Sequence, residues 1–155
     1  MLLAMWLASV PLAAEPIQLN DDNLEWSDGP ASIPAGAKFV LLEGDPAGDG
    51  IFAMRVFLPP KYVIPFHWHD ADERVTVLEG SVEIGIGETK ESAFITRFQR
   101  DGYYVTPPPL RHFVRAGPEG CVLQLTGLGP WTIHYVDKKD DPRDATRNAE
   151  RDARK

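Results

Sequence analysis

The sequence predicts an all-β domain whose strands close into a sandwich or barrel. Three observations predict it. Short apolar or alternating runs recur about every 8 to 12 residues, with turn residues between them. Glycine and proline are frequent, at 13 and 14 residues of 155, as a chain of many turns requires. No helical run interrupts the strands, because apolar residues along the central chain follow period two rather than i, i+3, i+4 spacing.

The elements follow in order. Ile17 to Trp26 is mixed and polar and reads as a connecting arm. Turn signals come at Asp28-Gly29-Pro30 and Pro34-Ala35-Gly36. Lys38 to Leu42 reads as a strand, and the acid- and glycine-rich Asp45 to Gly50 as a loop. Ile51 to Leu58 is a strand stopped by Pro59-Pro60. His67-Trp68-His69 ends the next strand, Asp70 to Asp72 suit a bend, and Glu73 to Leu78 leads away again until Glu79-Gly80 turns it. Ser81 to Ile86 alternates small or polar with aliphatic residues, the pattern of a half-buried strand, and Gly87 to Lys90 turns it. Phe94 to Phe98, Tyr103 to Val105, Arg111 to Arg115, Cys121 to Thr126 and Trp131 to Val136 complete the set. From Asp137 to Lys155 the composition changes: 13 of 19 residues are charged, with both signs mixed, as in a solvated helix or a disordered tail.

Length and composition exclude several classes. A chain of 155 residues is most simply one folded domain, large enough to bury a sizeable core. The net charge of −7 argues against a nucleic-acid partner, which would call for a basic face. Cys121 is the single cysteine, so no internal disulfide forms, and its apolar neighbours Val122 and Leu123 make it a buried thiol. Met1 to Ala14 is apolar and uncharged and ends in small residues. It reads as a secretory signal cleaved near Ala14, too short for a stable membrane span, although the first basic residue is as late as Lys38. The expected organisation is a signal peptide and arm over residues 1–20, a folded domain over 21–136 and a charged tail over 137–155, in a periplasmic or secreted protein.

The chemistry gathers at one stretch. Strand residues two apart share a face, so His67 and His69 aim the same way and Trp68 the opposite way, towards the outside. The bend after them returns Glu73 over the same patch. Two imidazoles and a carboxylate suit a first-row divalent metal with open positions left for water or substrate. The bland alternative is a surface hairpin rich in polar residues. Asp70 and Asp72 either orient a ligand's second nitrogen or are loop acids. His134 lies in an aromatic-rich strand without a partner motif and is left out of the site. Arg55, Phe57, Phe94, Tyr104, Gln124 and Trp131 are candidate pocket residues, subject to strand register.

The spacing H-x-H-x3-E-x6-G through His67, His69, Glu73 and Gly80 resembles the first motif of the cupin superfamily, and Gly102 to Ala116 is similar to its second. The likeness runs from about Gly36 to Val136. It departs from the family pattern at Lys61, Pro109 and Ala116, and Gly102 stands one residue closer to Pro107. The resemblance implies a small single-domain (monocupin) jelly-roll barrel with a metal inside. Its ligands would be His67, His69, Glu73 and His112, and Glu73's counterpart in the family can also transfer a proton, which makes it the candidate catalytic residue. His112 could otherwise be a core histidine satisfied by backbone. The metal would be Fe, Mn, Ni, Cu or Zn, because this donor set does not choose among them. The expected function is a metal-dependent enzyme of dioxygenase type on a small oxygen-rich organic substrate. The alternatives are a non-catalytic metal- or ligand-binding sensor and a storage-type barrel with a vestigial site. Open sheet edges need cover, which points to a homodimer.

Overall fold

A computed structural model describes residues 16–144. The apolar segment Met1 to Ala14 and the last part of the charged tail lie outside them. Among the described residues nine strands form one curled antiparallel sheet: β1 (Ser27–Asp28), β2 (Lys38–Glu43), β3 (Ile51–Leu58), β4 (Val63–Trp68), β5 (Glu73–Ile86), β6 (Phe94–Gln99), β7 (Tyr103–Thr106), β8 (His112–Leu128) and β9 (His134–Tyr135). The fold is all-β, as the period-two patterning predicts. No helix among the described residues is long and apolar enough to cross a membrane.

The long strands β5 and β8 pair with each other from Arg74↔Thr126 to Ile86↔His112 and carry the other strands. β3 joins β8 along Ile51↔Leu128 to Leu58↔Cys121, and β2 joins β3. β4 joins β8 near its start, β9 joins β4, and β6 and β7 join β5. Alternation decides what faces inside. On β3, Phe52, Met54, Val56 and Leu58 are buried and the residues between them are not.

The strand limits differ from expectation at three places. Glu79-Gly80 does not reverse the chain, and Arg111 to Arg115 and Cys121 to Thr126 are not separate strands. β5 and β8 run on through both places, with shifts of pairing register between Val77 and Glu79 and between Gly80 and Val82. The shifts change which parity faces inside. On β5 the buried set is Val75 and Val77 before the irregularity and Val82 and Ile84 after it. On β8 it is His112, Val114 and Ala116 before and Cys121, Leu123 and Leu125 after. One residue of β5 is extra at the first shift and residues 117–120 of β8 face a single residue of β5 at the second, and these mismatches bend the strands and keep apolar side chains inside on both arms. Gly80 has φ +69°, and a Cβ there would lie 2.1 Å from the carbonyl oxygen of Gly120. Glycine is therefore required at this corner. At the other end of the chain's last strand, Trp131 to Ile133 is irregular and only His134–Tyr135 pairs.

Candidate metal centre

Curling brings together residues far apart in sequence. His67 lies in β4 opposite His112, the first residue of β8. His69 follows the end of β4. Glu73 opens β5 after the bend Asp70 to Asp72, which is the return path that poor strand formers predict. All four are buried, His112 completely so.

The three imidazoles each offer a ring nitrogen within 4.8 Å of the others. Their ring centroids are 4.2 Å apart for His67 and His112, 4.9 Å for His67 and His69, and 5.5 Å for His69 and His112. Each Nδ1 faces a backbone carbonyl: Pro65 at 2.6 Å for His67, Thr132 at 2.7 Å for His69 and Leu110 at 3.0 Å for His112. A carbonyl oxygen only accepts, so each Nδ1 carries the proton and donates. In the neutral ring Nε2 is then a bare lone pair. The Nε2 atoms of His69 and His112 are buried with no hydrogen-bond partner. Buried acceptors are nearly always satisfied, so two orphaned lone pairs converging on one point fit a cation.

Glu73 completes the group. Its Oε1 is 3.7 Å from His69 Nε2 and its Oε2 is 3.8 Å from His112 Nε2. Both separations are too long for hydrogen bonds. Oε2 also accepts from Thr106 Oγ1–H at 3.1 Å, because Thr106 pairs with Glu73 across β7 and β5. Burial sets the protonation. It pushes His67 well below its ordinary value, a drop to which His112 and His69 add, brings His69 down to about 4, and lowers His112. Burial raises Glu73, against the pull of His112 and the Thr106 hydrogen bond. The imidazoles are thus neutral near pH 7, in the form that ligates, and their contacts with Glu73 are not ion pairs.

Around this cluster is a cavity of about 40 Å³. Its wall includes His67, His69 and Glu73 and is otherwise dominated by apolar side chains such as Ile33, Phe39, Ile64 and Ile133. Of the candidate pocket residues, Tyr104 and Trp131 line it. Arg55, Phe57 and Gln124 do not: Phe52, Met54, Val56 and Leu58 take the inner face of β3, and Arg55 Nε–H meets Gln124 Oε1 at 3.4 Å on the other face. Phe94 is exposed on the edge strand β6.

The family model for Cupin matches residues 47–127, just over half of the chain. The chain belongs to the cupin family. Germin-like protein 1 of Brassica napus is 33% identical over 87 residues, which are 54% of this chain and 42% of that protein. This cupin therefore spans less than half the length of that curated relative. Among solved structures, the polyketide cyclase RemF from Streptomyces resistomycificus is similar at a TM-score of 0.68 and 16% identity, over 84% of this chain and 92% of that one. An oxalate decarboxylase OxdC from Bacillus subtilis matches at a TM-score of 0.56 and 18% identity, over 77% of this chain and 31% of that one. At these identities the two structures share the cupin fold with this chain.

Two contributors to the site, Thr106 and the Thr132 carbonyl, are not legible as such in the sequence, and for Trp131 only its place in the pocket is. Thr106 follows Tyr104 by two residues on one strand, so alternation places it inward, but its partner emerges only from the β5–β7 register. Trp131 lies flat against His69, with centroids 4.5 Å apart and planes at 19°. The Thr132 carbonyl accepts the hydrogen bond from His69 Nδ1–H, so of the two readings of Asp70 and Asp72 neither acid orients that nitrogen. Asp70 instead meets His134 Nε2 at 2.7 Å, and Thr132 Oγ1–H donates to the same Asp70 oxygen. Asp72 accepts from Arg74 at 2.7 Å.

Proposed function

We propose that this cupin is a metal-dependent enzyme of oxygenase type, with His67, His69, His112 and Glu73 holding one divalent transition metal. The observation that carries the reading is the convergence of buried, unpartnered Nε2 atoms on one point beside a buried carboxylate. A metal bound there supplies a Lewis-acid centre with open positions for oxygen ligands. The chain's own residues do the rest. The carbonyls of Pro65, Thr132 and Leu110 fix the tautomer and tilt of the rings. Thr106 steadies Oε2 of Glu73. Oε1 then remains to ligate or to hold a proton, which burial favours by raising the carboxyl. The apolar wall keeps bulk water from the reacting atoms.

The test is metal content followed by oxygen uptake. Metal-replete purification should leave close to one equivalent, and less than about a tenth would remove the metal. Fe(II)-loaded protein should consume dioxygen with at least one member of a catechol, flavonol and diketone panel. Tight metal with no uptake across that panel would replace this reading with a metal- or ligand-binding sensor. We also read the protein as exported, on the apolar Met1 to Ala14, and as a homodimer that covers Phe94, which is 74% exposed on β6. Mature protein still carrying Met1 removes the first of these, and a monomeric sedimentation mass removes the second.

A further inference from the structure

We infer that the ligand of this pocket is a small uncharged organic molecule, hydrocarbon over most of its surface, with one acceptor oxygen that takes the indole N–H of Trp131. The inference rests on the metal-centre reading for its location and replaces the expected oxygen-rich substrate with an oxygen-poor one. Two independent observations carry it.

The first is the wall. Among the described residues, apart from His67, His69, Glu73 and the phenol of Tyr104, every side chain lining the cavity is aliphatic or aromatic, and no lysine or arginine lines it. A carboxylate or phosphate brought in beyond the metal's reach would lose its hydration and meet no opposite charge. A molecule with several hydroxyls would leave most of them unpaired. A hydrocarbon surface loses nothing against Ile33, Phe39, Ile64 and Ile133. The size is bounded too: about 40 Å³ is well below the roughly 150 Å³ that encloses benzene. The part of the ligand held inside is therefore a few heavy atoms.

The second is Trp131. Its Nε1 is buried and has no hydrogen-bond partner. An indole N–H only donates, so what satisfies it is an acceptor. The ring stacks on His69 and is tilted against Phe52 at 5.9 Å, which fixes it in place. A carbonyl or hydroxyl oxygen of the ligand meets this donor beside the metal position, and the rest of the ligand lies on the aliphatic wall.

The test uses butanone and propionate, which match in size and shape and differ in charge. Zinc-loaded and metal-free protein are each titrated, and the tryptophan indole N–H cross-peaks are followed by NMR, with Trp131 assigned from Trp131→Phe. Butanone is expected to shift the Trp131 peak in both forms, and propionate to leave it in place in the metal-free form. Trp131→Phe is expected to weaken butanone binding to the metal-free protein about fivefold, as loss of one neutral hydrogen bond does. An unmoved Trp131 peak with butanone, or propionate shifting it equally in the metal-free form, overturns the inference. Failure to hold zinc sinks the metal reading instead, and the metal-free titration still decides this one.

Discussion

At the scale of single residues, the site depends on neutral rings with their lone pairs aimed inward. His69→Ala removes one of the two orphaned lone pairs and should lower metal affinity by more than about 100-fold, beyond the loss typical of an outer partner. Equilibrium dialysis against zinc checks this, and retention at full affinity would contradict the site. The same rings set a pH dependence in the metal-free protein. Unfolded, each histidine takes up a proton below its ordinary 6.5, whereas burial keeps His69 neutral down to about 4 and lowers His67 and His112 as well. As pH falls below 6.5 the unfolded chain binds more protons than the folded one, and stability is lost. Glu73 acts in the opposite sense. Its raised carboxyl contributes stability that is full below its ordinary 4.5 and fades as pH rises through the folded value. Three groups oppose one, so the urea midpoint of chelator-treated protein should be lower at pH 5 than at pH 7.5. A midpoint equal or higher at pH 5 would count against these assignments.

At the scale of elements, two features matter most. The corner at Gly80 lets β5 change its buried parity, and alanine there would meet both the positive φ and the Gly120 carbonyl. Gly80→Ala should cost about 2 kcal/mol or more, seen as a melting temperature lower by roughly 4 to 8 °C. The other is the loop carrying Thr132. His67 and His112 bond carbonyls two residues away in the chain, but His69 relies on a carbonyl 63 residues distant. That carbonyl is pinned from outside by the contacts of Thr132 Oγ1 and His134 with Asp70, and by His134 stacking on Trp68 at 4.1 Å. Thr132→Val should therefore weaken metal binding by about tenfold while leaving the melting temperature of the metal-free protein nearly unchanged. A comparable loss in both would reduce the loop to a general stabiliser.

At the scale of the whole molecule, the proposed metal centre predicts a link between metal and fold. The proposed ligands lie in or just after β4 and in β5 and β8, which a bound ion would tie together, so metal at about 100 times its dissociation constant should add about 2.7 kcal/mol. Calorimetry should show the melting temperature rising by roughly 5 to 10 °C, and a chelator should reverse it. An unchanged melting temperature in metal-loaded protein would mean that the barrel does not hold the ion. Cys121 belongs to this scale as well. Burial pushes its thiol up to about 12, so it should react with thiol reagents only on unfolding.

Much of this was legible in local pattern. Alternation sorts each strand's residues onto two faces, and the spacing of His67, His69 and Glu73 across a bend brings them onto one patch. Period and spacing are properties of neighbouring residues, so the chain itself determined them. Whether Glu79-Gly80 reverses a strand or bends it was decided only by the partner strand, since a turn and a bulge use the same residues. The inner face of β3, the carbonyl behind His69 and the unmet donor on Trp131 were decided the same way. Each depends on which distant strand lies alongside, and long-range pairing leaves no mark in the local order of residues.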